Sequence, residues 1–182
     1  MTGLRPAVLA ALLALAAACG GAPPATTGVA PTAPPAAPAP AHGVVVVQVT
    51  FYGALDNDPP GSTEIAYPNG RHPAAGGTGT NADPITAASD PRELPPGTLL
   101  YAPHLQAYLV MEDDCADCIE QWEHRRVAHV DVWAGMSGPG LLACEHALTP
   151  DAPVTLEVNP PPGRPTDPRP LYTPSGGCRV PS

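Results

Sequence analysis

Carboxylates, two histidines and two cysteines concentrate in one stretch of this 182-residue chain, VMEDDCADCIEQWEHRRVAHVDVW, which begins at Val110. Asp113 lies at the end of an apolar run beside Cys115, and His129 and Asp131 lie two residues apart in the following run. Carboxyl and imidazole groups can transfer protons when burial and neighbouring charges adjust their pKa values. The stretch therefore holds the candidate site, and the rest of the chain must position it.

Two predicted strands carry these groups. Successive side chains of a strand point to opposite faces, so His129, Asp131 and Trp133 share one face. The same alternation points Asp113 away from Glu112 and Asp114. Only one side of the acid cluster can therefore face a common site, and we expect Glu112 and Asp114 to be solvated or to cap turns.

Four cysteines in the predicted folded part favour disulfides, since an exported domain with a modest core commonly has them. These four are Cys115, Cys118, Cys144 and Cys178. Three pairings are possible, and the sequence does not choose between them. A bridge from Cys178 to the rest of the fold would pin the Pro-rich C-terminal segment, residues 159–174, as a strap. A zinc site usually shows two close cysteine pairs, and a thioredoxin-type pair expects a βαβ unit. We expect neither a metal nor a cofactor.

The N-terminal segment has the pattern of an export signal. Residues 1–18 combine an early Arg5 with an apolar run too short to span a bilayer. Cys19 follows small residues and is the odd cysteine of five, which favours lipidation over simple cleavage before it. Residues 19–43 are rich in Pro and Ala and predict an extended linker. The expected location is the outer face of the membrane, tethered by lipid, or secreted.

Charge excludes one class of partner. The formal net charge is −9 and there is no Lys. Nucleic-acid binding needs a cationic face that releases counterions, and no basic stripe is present. An acidic surface also disfavours anionic polymers, whereas it is indifferent to uncharged polysaccharides.

The folded part spans residues 44–182 and reads as a series of short strands separated by turn residues. The predicted strands are VVVVQVTFYG, IAYP, GTLLYAP, HLQAYLVMED, AHVDVW, LLACEHAL and VTLEV, with GTLLYAP and HLQAYLVMED as a hairpin. Helical periodicity is weak, and the one candidate helix is 117–126. This pattern is typical of a small all-β barrel with short helical or loop insertions.

Several motifs resemble those of expansins, rare lipoprotein A and family 45 endoglucanases. They are VTFYG from Val49, GTGTNADPITAA from Gly77, MEDDC from Met111 and HVD from His129. The likeness is strongest to secreted expansin-like proteins and covers residues 45–182. It implies a six-stranded double-psi β-barrel with an open groove.

The resemblance also implies roles for individual residues. In hydrolytic relatives the acid of an H-x-D strand protonates the glycosidic oxygen, which here would be Asp131. Asp113 matches a second acid, so the candidate catalytic pair is Asp131 and Asp113. In the endoglucanases the catalytic base lies on the first strand. The corresponding place in this chain, beside Tyr52, has no acid, so the base is displaced or absent. Tyr52, His129 and Trp133 are the candidate glycan-binding residues, with His129 as a partner of a neighbouring carboxylate or carbonyl.

Three functions stay open at this point. The first is a monomeric, cell-wall glycan-binding, expansin-like module without efficient hydrolysis, whose partner is a polysaccharide or peptidoglycan. The second is a glycan-cleaving hydrolase or lytic transglycosylase with Asp131 as general acid. The third is a defence or inhibitor-type barrel that binds another protein, for which an exposed apolar patch is expected. The sequence does not choose between the possible glycans or between binding and cleavage.

Overall fold

The computed structural model describes residues 42–68 and 70–181. The predicted signal segment 1–18, the lipidation site Cys19 and nearly all of the linker 19–43 lie outside these residues and stay predictions. Within the described part, no helix has the length and apolar character that crossing a membrane requires.

Six strands close into a barrel in the order β1-β5-β2-β4-β3-β6. They are β1 (Gly43–Gly53), β2 (Ile85–Ser89), β3 (Leu99–Ala102), β4 (Ala107–Asp114), β5 (His129–Gly135) and β6 (Val154–Val158). Two short helices, α1 (Ala116–Arg125) and α2 (Leu141–Leu148), and a hairpin of β7 (Tyr172–Thr173) and β8 (Gly177–Cys178) lie between or after them. The prediction of an all-β, six-stranded barrel with short insertions is confirmed.

Side-chain alternation separates the barrel core from a polar face. Val49, Ala87, Val130 and Val132 are buried and belong to one hydrophobic cluster. Burying a valine side chain stabilises a fold by roughly 1.5–3 kcal/mol, and valine also suits a strand because its branched side chain packs well on a pleated surface. Gln48 and Thr50 of β1 and His129 and Asp131 of β5 occupy intervening positions and carry polar groups.

Two predicted strands are wrong. Residues 141–148 form α2, because Leu141, Cys144, Glu145 and Leu148 are the buried positions and follow a helical spacing. Residues 65–68 form no strand. The predicted helix is confirmed as α1, which is capped by Cys115 and is followed by Arg126 as its C-terminal cap in a left-handed conformation.

The C-terminal segment is pinned to the barrel. A disulfide joins Cys144 of α2 to Cys178, across 34 positions of sequence. The hydroxyls of Tyr101 and Tyr108 donate hydrogen bonds to the carbonyls of Pro165 and Pro161. These tyrosines are otherwise buried, so each phenol satisfies its polar end on the tail. The tail is therefore a strap, as expected for a bridge from Cys178.

Glu112 corrects an expectation about the acid cluster, since its side chain is fully buried rather than solvated. Its Oε1 accepts hydrogen bonds from the Thr86 hydroxyl at 2.7 Å and from the Nδ1 of His72 at 2.5 Å. The other ring nitrogen of His72 lies 3.0 Å from Asp83. Glu112 therefore ties the long loop after β1 to strands β2 and β4.

This network predicts a pH dependence of stability. Burial lowers the pKa of His72, but hydrogen bonds and charge from Glu112 and Asp83 outweigh burial and raise it above its ordinary value. Because its pKa is raised in the folded state, protonated His72 adds to the free energy of unfolding. This contribution is complete below about pH 6.5, the ordinary pKa of histidine, and is lost as the pH rises through the folded-state pKa. Urea unfolding between pH 6 and 9 should show this loss in the wild type and not in His72→Gln. Identical pH profiles for the two proteins would contradict the assignment.

Candidate functional site

Strand pairing places the two candidate carboxylates on either side of one alanine. In β2, Ala88 pairs with Asp113 of β4 on one side and with Asp131 of β5 on the other. Asp131 in turn pairs with Thr50 of β1. Neighbouring strands lie about 4.8 Å apart, so the Cα atoms of Asp113 and Asp131 are about 10 Å apart. Thr50, Asp131, Ala88 and Asp113 thus form one row across four strands.

A cavity of about 730 Å³ lies over this row. The loop after β1 and the start of α1 form its walls, and the row forms part of its floor. Its lining includes seven acids and no arginine: Asp56, Asp58, Glu64, Asp113, Asp114, Asp117 and Asp131. Ligand sites commonly measure about 300–1,000 Å³, so this space fits a small ligand or part of a polymer.

Asp131 is a partly exposed acid whose carboxyl accepts a 2.8 Å hydrogen bond from the Thr50 hydroxyl. Burial raises its pKa to about 7, the charges of Asp56 and Asp117 raise it further, and the Thr50 hydrogen bond opposes them. An acid in this range exists in both protonation states near neutral pH. It can therefore both accept and donate hydrogen bonds to a bound ligand.

Asp113 is more buried and more firmly held. Its Oδ2 accepts a hydrogen bond from the Tyr52 hydroxyl, and its Oδ1 accepts from the amides of Ala66 and Asp114, each at 2.9 Å. Burial raises the pKa of Asp113 above its ordinary value although these donors oppose the shift. Three donors fix the orientation of this carboxyl and use much of its acceptor capacity.

The other predicted site residues are placed differently. His129 and Tyr52 line the cavity, and the Nε2 of His129 lies 2.8 Å from the Thr50 hydroxyl. His129 is therefore a partner of the Thr50–Asp131 pair, and burial lowers its pKa. Trp133 is not part of the cavity lining. Its ring packs edge-on against Tyr52, with centroids 5.4 Å apart, and a role in glycan binding stays a prediction for it.

Sequence reasoning missed several residues of the site. Gln48 and Thr50 line the cavity together with Tyr52, at alternate positions of β1. Strand alternation from Tyr52 could have identified both. Glu64 and Asp117 also line it, and no local pattern marks them, because the loop and α1 are brought there by the barrel.

Glu145 of α2 is a further missed acid, and it lies outside the cavity lining. It is 3% exposed, and its Oε1 has no hydrogen-bond partner within the described residues. Burial raises its pKa to about 7, and the charges of Asp56 and Asp131 raise it further. The same oxygen would lie 2.9 Å from a Cβ atom placed on Gly53. Gly53 is thus needed where β1 passes α2.

A disulfide borders the cavity. Cys115 and Cys118 are bonded to each other at the start of α1, and Cys115 is part of the lining. The expectation of disulfides is confirmed for all four cysteines, and the pairing that the sequence left open is Cys115 with Cys118 and Cys144 with Cys178.

Comparison with known proteins shows the family. The model of the DDB_G0273701 N-terminal domain family matches residues 44–179, which contain all six barrel strands but the first residue of β1. The chain belongs to this family. Within it, the chain is similar to the Dictyostelium discoideum "Uncharacterized protein DDB_G0273701/DDB_G0273221", with 45% identity over 107 residues.

That match covers 58% of this chain and 47% of the Dictyostelium protein, so the chain spans about half the length of that relative. No solved structure gives a significant match. The region that the family model matches, residues 44–179, contains Asp113, Ala88 and Asp131.

Proposed function

We propose that this domain is an exported, expansin-like module that binds a cell-wall glycan in the cavity without efficient hydrolysis. The observation that carries the proposal is the pair of carboxyls on either side of Ala88, on the floor of a cavity of about 730 Å³. Two parallel strand pairs, β1 with β5 and β2 with β4, support the double-psi and expansin-like interpretation of the barrel.

The groups on the floor suit sugar hydroxyls. Carboxylates accept hydrogen bonds from hydroxyls, and charge-assisted bonds of this kind are stronger than neutral ones. The side-chain amide of Gln48 adds both a donor and an acceptor to the lining. Ala88 between the two carboxyls adds no polar group of its own to this part of the lining.

The charge of the cavity selects among glycans. The cavity lining has seven acids and no arginine, so it repels polyanions. It does not repel neutral polymers. We therefore propose β-glucan or chitin as the partner class in preference to an anionic wall polymer.

Efficient hydrolysis by inversion is disfavoured by the surroundings of Asp113. A base must activate water, and both oxygens of Asp113 already accept hydrogen bonds from Tyr52, Ala66 and Asp114. Asp56 is also engaged, because its Oδ1 accepts from the amide of Gly53 at 2.8 Å. The binding function needs no such free base.

The first test is retention on insoluble β-glucan, chitin and peptidoglycan. The wild type should be retained on a neutral polymer, and Asp131→Ala should bind about tenfold more weakly, as expected for losing one charge-assisted hydrogen bond. The matched control is Asp151→Ala, the same change at an exposed acid outside the cavity lining. No retention of the wild type on any polymer, or equal retention of Asp131→Ala, would end the proposal.

A second candidate function is glycan cleavage with Asp131 as the acid, either by hydrolysis or by lytic transglycosylation. Its support is that Asp131 lines the cavity and is partly exposed, as a general acid that contacts a substrate must be. This function predicts release of reducing ends or anhydro-sugars that Asp131→Asn abolishes. Retention without release, in both wild type and Asp131→Asn, favours the binding module.

The proposed location follows from the N-terminal sequence. Residues 1–18 and Cys19 support export and attachment by lipid, with residues 19–43 as a linker that lets the domain reach the wall. We propose a monomer whose membrane contact is through the lipid alone.

A further inference from the structure

Cys115, Cys118 and His129 form a compact group of potential metal ligands. Their ligand atoms all lie within 4.8 Å of one another, and all three residues are buried. Tetrahedral zinc with thiolate and imidazole ligands places those atoms about 3.5–3.8 Å apart. Two sulfurs and one nitrogen are therefore near the required arrangement, although the disulfide now joins the sulfurs.

The hydrogen bonds of His129 leave the lone pair of one nitrogen free. The Thr50 hydroxyl donates its proton to Asp131, so it can only accept from the Nε2 of His129. Nε2 then carries the ring proton, and Nδ1 carries the lone pair. Nδ1 is buried and has no hydrogen-bond partner within the described residues. Buried polar atoms are nearly always satisfied, so this one needs an explanation.

The hydrogen bonds that link His129 to Thr50 and Thr50 to Asp131 resemble those that hold a metal-bound histidine in place. Ligating histidines usually donate their other ring N–H to a carboxylate or another acceptor, which fixes the tautomer and the ring orientation. Here a hydroxyl held by a carboxylate provides that acceptor. This arrangement is independent of the cysteine spacing and points to the same site.

We propose that the domain, with the Cys115–Cys118 bond reduced, binds a zinc-class transition metal through both thiolates and the Nδ1 of His129. Thiolate and imidazole ligands suit borderline-soft ions. Three protein ligands leave a fourth position open for water or another ligand, and Cys115 and His129 both line the cavity. This site goes beyond glycan binding and does not depend on it.

The reduction step requires an external dithiol. Its thiolate attacks the sulfur of Cys115, which lines the cavity, and Cys118 leaves as a thiolate; the second thiol of the reductant then releases Cys115. The reductant becomes a disulfide, and the protein gains two electrons and two protons. A divalent ion then displaces two thiol protons to solvent.

Cobalt substitution tests the site directly. The full chain carrying Cys19→Ser, reduced anaerobically with a phosphine, should bind one Co²⁺ with the absorption of tetrahedral cobalt and thiolate charge transfer. Zn²⁺ should displace it. The variant Cys115→Ser/Cys118→Ser keeps Cys144 and Cys178, which the phosphine also reduces. This variant should lose the cobalt absorption bands, which would assign the bands to Cys115 and Cys118.

Thr50→Val provides the second test, because it removes the acceptor for Nε2 and leaves all three ligands. Zinc affinity, measured by competition with a chromophoric chelator, should fall about 10- to 100-fold.

His129→Gln should lose the imidazole contribution to the cobalt spectrum, with near-ultraviolet circular dichroism as the check on folding. A reduced protein without tetrahedral cobalt bands, or bands unchanged in Cys115→Ser/Cys118→Ser, would overturn the proposal. Unchanged zinc affinity in Thr50→Val would also contradict it.

Discussion

Replacing Gly77 by alanine is expected to lower the free energy of unfolding by about 4 kcal/mol, combining backbone strain with overpacking. Gly77 has a φ of +95°, where a side chain is strained. A Cβ atom there would lie 1.9 Å from the carbonyl oxygen of Pro84 and 2.9 Å from the Cα of Ile85. Both are backbone atoms at the start of β2, so neither can move as a flexible side chain would.

The neighbouring glycine provides a matched control. A Cβ atom on Gly76 would meet nothing within 4 Å, and Gly76 has no positive φ in the strained range. Gly76→Ala should therefore change stability by less than about 1 kcal/mol. Urea unfolding of both variants with the wild type measures the difference. Similar free energies for Gly76→Ala and Gly77→Ala would contradict this account.

The effect also reaches the site, because Gly77 sets the entry of β2 into the barrel. The amide of Thr86 donates to the carbonyl of Gly76, and the amide of Gly76 donates to the hydroxyl of Thr86. β2 carries Ala88 between Asp113 and Asp131. Displacing Pro84 and Ile85 would shift the strand that sets the separation of the two carboxyls.

Local patterns predicted much of the barrel. β1, β5 and the β3–β4 hairpin follow from apolar and β-branched runs with turn residues between them, and these signals depend on nearby residues alone. Residues 141–148 were misassigned because a short apolar segment fits a strand or a helix equally well. What decides for α2 is burial of Cys144 and Glu145 on one side, which is a tertiary property.

The site was predictable in part. The alternation of β5 placed His129 and Asp131 on one face, and the resemblance suggested Asp113. Their relation through Ala88 could not be read from sequence, because β2 pairs with strands more than twenty residues away on both sides. Glu112 was misjudged for the same reason, since its burial depends on His72 in a distant loop.

The two disulfides should differ in their contribution to stability. In the chain-entropy model, the stabilisation grows with the length of the closed loop. Cys144–Cys178 spans 34 positions and Cys115–Cys118 spans three. Removing the long bridge should therefore cost about 4 kcal/mol, and removing the short bridge about 2 kcal/mol.

Cys144→Ser/Cys178→Ser and Cys115→Ser/Cys118→Ser, compared by urea unfolding under non-reducing conditions, measure this difference. The long-bridge variant should also become sensitive to proteolysis between residues 159 and 177, because the strap then depends on hydrogen bonds such as those of Tyr101 and Tyr108. Equal losses for the two variants, or a larger loss for the short bridge, would contradict the expectation. The smaller of the two expected losses belongs to the bridge between Cys115 and Cys118, which is the one that metal binding requires to be reduced while the barrel stays folded.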